Sequence, residues 1–137
     1  MLKLFKKMLL LCLIFFGISA CASHHSHNMQ RTLGETIDST SDAVMVESFA
    51  SYEDCFSVKQ GQVLHYKFNS SSSLDFNVHY HQGSEVIYPV LHNDITTHEG
   101  TVDPEKHGLD EEYFCLMWKN PGTQQCRISY ECDVIQK

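Results

Sequence analysis

Leu74-Asp75-Phe76-Asn77-Val78-His79-Tyr80-His81 decides the fold of this chain. Leu74, Phe76, Val78 and Tyr80 stand at every second position, with Asp75, Asn77, His79 and His81 between them. Successive side chains of an extended strand point to opposite faces, so this period makes one apolar face and one polar face. The same alternation recurs on either side. Gln62 to Phe68 places Leu64, Tyr66 and Phe68 together. Glu85 to Leu91 is apolar but interrupted by Pro89, which predicts an edge strand or a bulge, because proline has no N–H to give a ladder. Tyr113–Lys119 and Arg127–Val134 flank an Asn120-Pro121-Gly122 turn. On the last of these strands Ile128, Tyr130, Cys132 and Val134 share a face with the preceding Cys126, opposite Arg127, Ser129, Glu131 and Asp133. No segment longer than a turn keeps a 3.6-residue period. Strands with one apolar face each must cover one another, so the expected fold class is all-β, a single antiparallel β-sandwich over residues 48–137. His92 to Glu112 reads as a long, polar, acidic connection.

The N-terminus has a different character. Lys3, Lys6 and Lys7 precede an unbroken apolar run from Met8 to Phe16, and small residues follow. That is the three-part layout of a secretory signal over residues 1–20, and its apolar core is too short to span a bilayer. Ile18-Ser19-Ala20-Cys21 resembles a bacterial lipobox. The resemblance implies cleavage before Cys21 and lipidation of Cys21, with Ala22 favouring the outer membrane, on its periplasmic or cell-surface side. Residues 21–47, rich in Ser, Thr, Asp and His, read as a flexible tether, although Leu33, Ile37, Ala43, Val44 and Val46 allow a short docked strand.

The chain has 137 residues, which is room for one small domain behind that leader. Its net charge is −7, and losing the leader removes three Lys and no acid. Such a chain lacks the clustered Lys and Arg that nucleic acid requires, and it has no general attraction to anionic membranes. Membrane attachment therefore rests on the lipid. No Ser-His-Asp signature, nucleophile elbow or phosphate-cradling glycine loop is present, and the chain reads as a non-enzyme.

Glu53-Asp54-Cys55-Phe56, Gly61-Gln62-Val63-Leu64, Tyr66-Lys67-Phe68, Leu74 to Val78, Gly83 to Tyr88 and Tyr113-Phe114-Cys115-Leu116-Met117-Trp118-Lys119-Asn120 occur in that order. Together they resemble the GOLD domain of the eukaryotic early-secretory cargo-receptor family, over roughly Tyr52 to Val134. The resemblance implies a jelly-roll β-sandwich that binds proteins or lipids and catalyses nothing. It also implies a disulfide between Cys55 and Cys115. The departures are plain: cargo receptors continue into a coiled coil and a membrane span, whereas the anchor implied here is a lipid at the opposite end.

With Cys12 in the leader and Cys21 lipidated, Cys55, Cys115, Cys126 and Cys132 remain for an oxidising compartment. Cys126 and Cys132 sit on one straight strand about 20 Å apart, too far to bridge. The residues themselves leave open one bridge with two thiols, or a crossed pairing such as Cys55–Cys132 with Cys115–Cys126.

Nine histidines are many for this length. His24-His25-Ser26-His27 follows the anchor, and His79 and His81 form a His-x-His pair on one strand face. Side chains two apart on a strand lie about 7 Å apart, from which two imidazoles can converge on Cu or Zn, with a third ligand from His65, His92 or His98. The plainer reading of each group is a solvated polar surface. The acids and histidines of His92–Glu112 do not follow EF-hand spacing. Trp118 shares a face with Phe114 and Leu116 and is expected in the core. The expectation is therefore a lipid-anchored binding module for an envelope or secreted protein or a small ligand; the alternative is a Cu- or Zn-handling lipoprotein.

Overall fold

The computed structural model describes residues 34–137; the leader, Cys21, the His24–His27 cluster and the first part of the expected tether lie outside the described residues. Six strands follow one another: β1 (Thr36–Val46), β2 (Ser51–Lys59), β3 (Gln62–Gln82), β4 (Glu85–Val102), β5 (Glu111–Lys119) and β6 (Cys126–Gln136). The one helical element among the described residues is a 3-10 turn, Pro104–His107, between β4 and β5. Asp103 caps it by accepting from the Glu105 N–H, and Gly108 closes it at φ 70°.

All pairings are antiparallel, in the order β1-β6-β3-β5-β2, with β4 added along β3. The 21-residue β3 organises the whole. Its first half, Gln62–Ser70, pairs with β6, and its second half, Asp75–His79, pairs with β5. The register against β4 shifts between Asn69 and Leu74, within the Ser70–Ser73 run. One hydrogen-bonded sheet thus becomes two four-stranded leaves, β1-β6-β3-β4 and β2-β5-β3-β4, that share a long hairpin. The sheet curls into a half-barrel in which the apolar faces of the two leaves meet. Tyr52 of β2 reaches Tyr130 of β6 across the interior, with hydroxyl oxygens 3.0 Å apart, although these strands are not neighbours in the sheet.

The alternation decides which side chains enter the core. Leu64, Phe68, Leu74, Phe76, Val78, Phe114, Leu116, Trp118 and Ile128 are all buried, and Trp118 packs against Phe68, Phe76 and Tyr130. Each such aromatic or aliphatic side chain contributes about 1.5–3 kcal/mol by leaving water.

Two boundaries differ from the sequence reading. Thr36–Val46 belongs to the sheet rather than to the tether of residues 21–47, so the sheet begins before residue 48. β1 covers an edge of β6 with its backbone, and its side chains are mostly exposed. An edge strand held by main-chain bonds carries little hydrophobic period. The polar connection expected from His92 onward is strand as far as Val102. Here Asp94 at φ 57° absorbs a bulge opposite Asp75, which hides the alternation. Pro89 lies in a second bulge, where Tyr88 and Pro89 face His79 alone.

Candidate functional site

The polar face of β3 is not the solvated surface its sequence suggests. Asn77 is 6% exposed and His79 5% exposed, while His81 is open to solvent. The cover comes from three other strands. Tyr88 is swung over His79 by the β4 bulge, their rings 5.7 Å apart. On the other side β5 places Cys115 in register with His79, and β2 places Cys55 in register with Cys115. The two sulfurs are bonded, with Cα atoms 4.0 Å apart. Glu53, two residues before Cys55 on the same face of β2, brings a carboxylate oxygen to 3.5 Å from His79 Nε2.

His79 is held from behind. Its Nδ1 lies 2.8 Å from Asn77 Oδ1, which only accepts, so Nδ1 carries a proton and Nε2 faces Glu53. Burial pushes the imidazole below its usual range; Glu53 opposes that and His81 adds to it. The neutral ring is therefore favoured. Glu53, His79 and Cys115 present ligand atoms within 4.8 Å of one another. His81 meets His79 edge-on at 5.3 Å between centroids but is not a member of that group.

The other candidate ligands lie apart from it. His65 is hydrogen-bonded to Thr101. His92 and His98 pack with tilted rings, centroids 4.4 Å apart, with His98 also against Tyr66 and Phe76. The third group beside His79 is thus a carboxylate of β2, which sequence spacing did not single out. It becomes legible only once the β2–β5 register is known. Cys126 and Cys132 are buried thiols on the inward face of β6. Burial, reinforced by Asp54 and Asp133, pushes the Cys132 thiol up to about 12, which removes its reactivity at neutral pH.

A second polar group lines the interior seam. The Tyr130 O–H donates to Asp54 Oδ2 at 2.8 Å, and Tyr52 donates in turn to Tyr130. Burial and these two bonds hold the Tyr130 proton firmly.

A third feature is β4 itself. It pairs with β3 alone, so one edge of an 18-residue strand is unpaired among the described residues, across both leaves. Val86, Tyr88 and Leu91 on it are 38%, 49% and 59% exposed.

The fold and these sites define an all-β protein built on one curled antiparallel sheet. No family model matches the chain, and no curated protein matches it, so the GOLD resemblance finds no counterpart there. Among solved structures the chain is similar to PliG of Aeromonas hydrophila, a periplasmic lysozyme inhibitor of g-type lysozyme. The TM-score is 0.50 at 14% identity, over 70% of this chain and 85% of that one. It is also similar to the Yersinia pseudotuberculosis-derived mitogen YPM, with a TM-score of 0.48 at 9% identity, over 73% of this chain and 86% of that one. At such identities the likeness to PliG is one of fold.

Proposed function

We propose that this chain is a lipid-anchored, non-catalytic envelope protein that binds a protein partner along β4. The observation that carries the reading is the free β4 edge with Val86, Tyr88 and Leu91 exposed along it. Exposed apolar side chains clustered on one strand are what a partner buries, and an unpaired edge adds main-chain donors and acceptors. Pro89 and the two bulges interrupt the edge, which blunts indiscriminate strand pairing and leaves the side chains to choose the partner. The lipobox-like Ile18-Ser19-Ala20-Cys21 supports an outer-membrane address. The GOLD-like pieces and the fold shared with a lysozyme inhibitor point the same way, towards binding rather than catalysis.

The test places a photo-cross-linking residue at Leu91 in the full chain, in intact envelopes, with a control at exposed Thr123 on the β5–β6 turn. A discrete protein adduct at Leu91 that is absent at Thr123 is expected. Equal or no adducts at the two positions refute the assignment of β4. Purified g-type lysozyme is the first defined ligand to titrate, with Leu91→Asp as the variant expected to lose any binding.

A further inference from the structure

Three adjacent strands set the Glu53 carboxylate, the Cys115 sulfur and the His79 imidazole side by side on the outer face of one leaf, with the Cys55 sulfur bonded to that of Cys115. A Glu53 oxygen is 3.5 Å from Cys55 Sγ, and its other oxygen is 3.5 Å from His79 Nε2. Zinc bonds of about 2.0–2.3 Å put tetrahedral ligands about 3.3–3.8 Å apart. The Glu53 separations already match that spacing. Glu53, His79 and Cys115 already present ligand atoms within 4.8 Å of one another, whereas Cys55, bonded to Cys115, stands outside that group and turns its sulfur in once the bridge opens.

We propose that opening the Cys55–Cys115 disulfide converts this cluster into a zinc site, with both thiolates, His79 Nε2 and the Glu53 carboxylate as ligands. A dithiol reductant supplies the two electrons and two protons. Its thiolate attacks the exposed Cys55 sulfur and the S–S bond breaks. The mixed disulfide then resolves as the reductant leaves in its own disulfide form, and Cys55 and Cys115 are left as thiols. Zinc entry releases the two thiol protons to solvent.

Two observations beyond proximity support the site. First, Nε2 of the buried His79 and a Glu53 oxygen face each other at 3.5 Å, a pair that a proton or a cation between them satisfies. Second, Asn77 fixes the ring tautomer from the far side, as outer-shell carbonyls do for metal-bound histidines. Two thiolates with one imidazole and one carboxylate select a borderline ion such as Zn²⁺ over Mg²⁺ or Ca²⁺. Four protein ligands leave no open position, so the ion staples β2, β5 and β3 together in place of the lost bridge and does no chemistry. The site is independent of the β4 reading.

The test compares zinc uptake by the full chain, oxidised and after reduction by a non-chelating phosphine. The other histidines and thiols are a background common to every sample. Reduction is expected to add one zinc per chain, absent from reduced Cys55→Ser/Cys115→Ser. Glu53→Gln and His79→Ala, confirmed as β-rich by circular dichroism, are expected to weaken that added zinc about tenfold or more. Cobalt in its place is expected to show a thiolate charge-transfer band in the near ultraviolet. No added zinc on reduction overturns the proposal. So does added zinc that survives in the double serine variant, or that is indifferent to both Glu53→Gln and His79→Ala.

Discussion

Asn120 is 1% exposed and uses its whole side chain. Its amide group donates to the carbonyls of Val46, Glu47 and Gln124, and its Oδ1 accepts from the Gly122 N–H. One residue so ties the end of β1 to the β5–β6 turn. Asn120→Ala is expected to cost about 2–3 kcal/mol, because it leaves these main-chain groups unpaired, and to lower the urea midpoint without changing the slope. His98 makes a pH-dependent case. Burial first, then His92, push its imidazole below the usual range against the pull of Glu99, and its Nδ1 is buried without a partner. The unfolded chain therefore binds the proton at higher pH than the folded one. Stability is full above the unfolded value of about 6.5 and falls as pH drops from there towards the lower folded value. His79, shifted in the same direction, adds to the loss. His98→Phe keeps the stack on Tyr66 and Phe76 and removes one of the two groups. The gap between urea midpoints at about pH 7.5 and about pH 5.5 should shrink in it; an unchanged gap would show that His98 does not titrate in folding. The Asn120 turn and the inward Trp118 were legible as residues in the sequence. The burial of Asn77 and His79 was not, because their cover is contributed by Glu53, Tyr88 and Cys115 from three other strands.

At the scale of elements, β2 is the edge most in need of a fastening. It pairs with β5 alone, and the Cys55–Cys115 bridge closes a separation of 60 residues between them. In the chain-entropy account such a closure is worth about 4 kcal/mol, so Cys55→Ser/Cys115→Ser should show a correspondingly lower unfolding free energy in metal-free buffer. The inner side of the β3–β4 hairpin is equally exacting. A Cβ at Gly100 would stand 2.7 Å from Tyr66 Cζ, and Gly100→Ala is expected to destabilise by about 1–3 kcal/mol by displacing that ring. Thermal unfolding of the variant against wild type checks it. The strands with an inward apolar face, the two halves of β3 together with β5 and β6, were readable because burial writes a period of two. β1 was legible only as the short docked strand that Ile37, Ala43, Val44 and Val46 allow, and the second half of β4 was not legible. They are edge strands, held mainly by main-chain bonds, and β4 carries a positive-φ bulge at Asp94 that breaks the period.

At the scale of the whole molecule, the folded body and the address are separate pieces of sequence. The sheet of Thr36–Gln136 accounts for the core, and nothing in its acidic surface attracts it to an anionic bilayer. Acylation at Ile18-Ser19-Ala20-Cys21 is the membrane attachment we propose for it. Each buried acyl CH₂ contributes about 0.8 kcal/mol, so two or more chains on one cysteine hold a protein of this size against any plausible solvation of its body. The mature product is accordingly expected to begin at Cys21 and to carry the mass of its acyl groups there, and to partition into the detergent phase when cell envelopes are solubilised. Cys21→Ser removes the thioether and should abolish both the acyl mass and incorporation of labelled palmitate, while the urea midpoint of the sheet stays as in wild type. Mass spectrometry of the N-terminal peptide decides the matter, because a mature chain starting at any other residue, or an unmodified Cys21, overturns the lipid anchor.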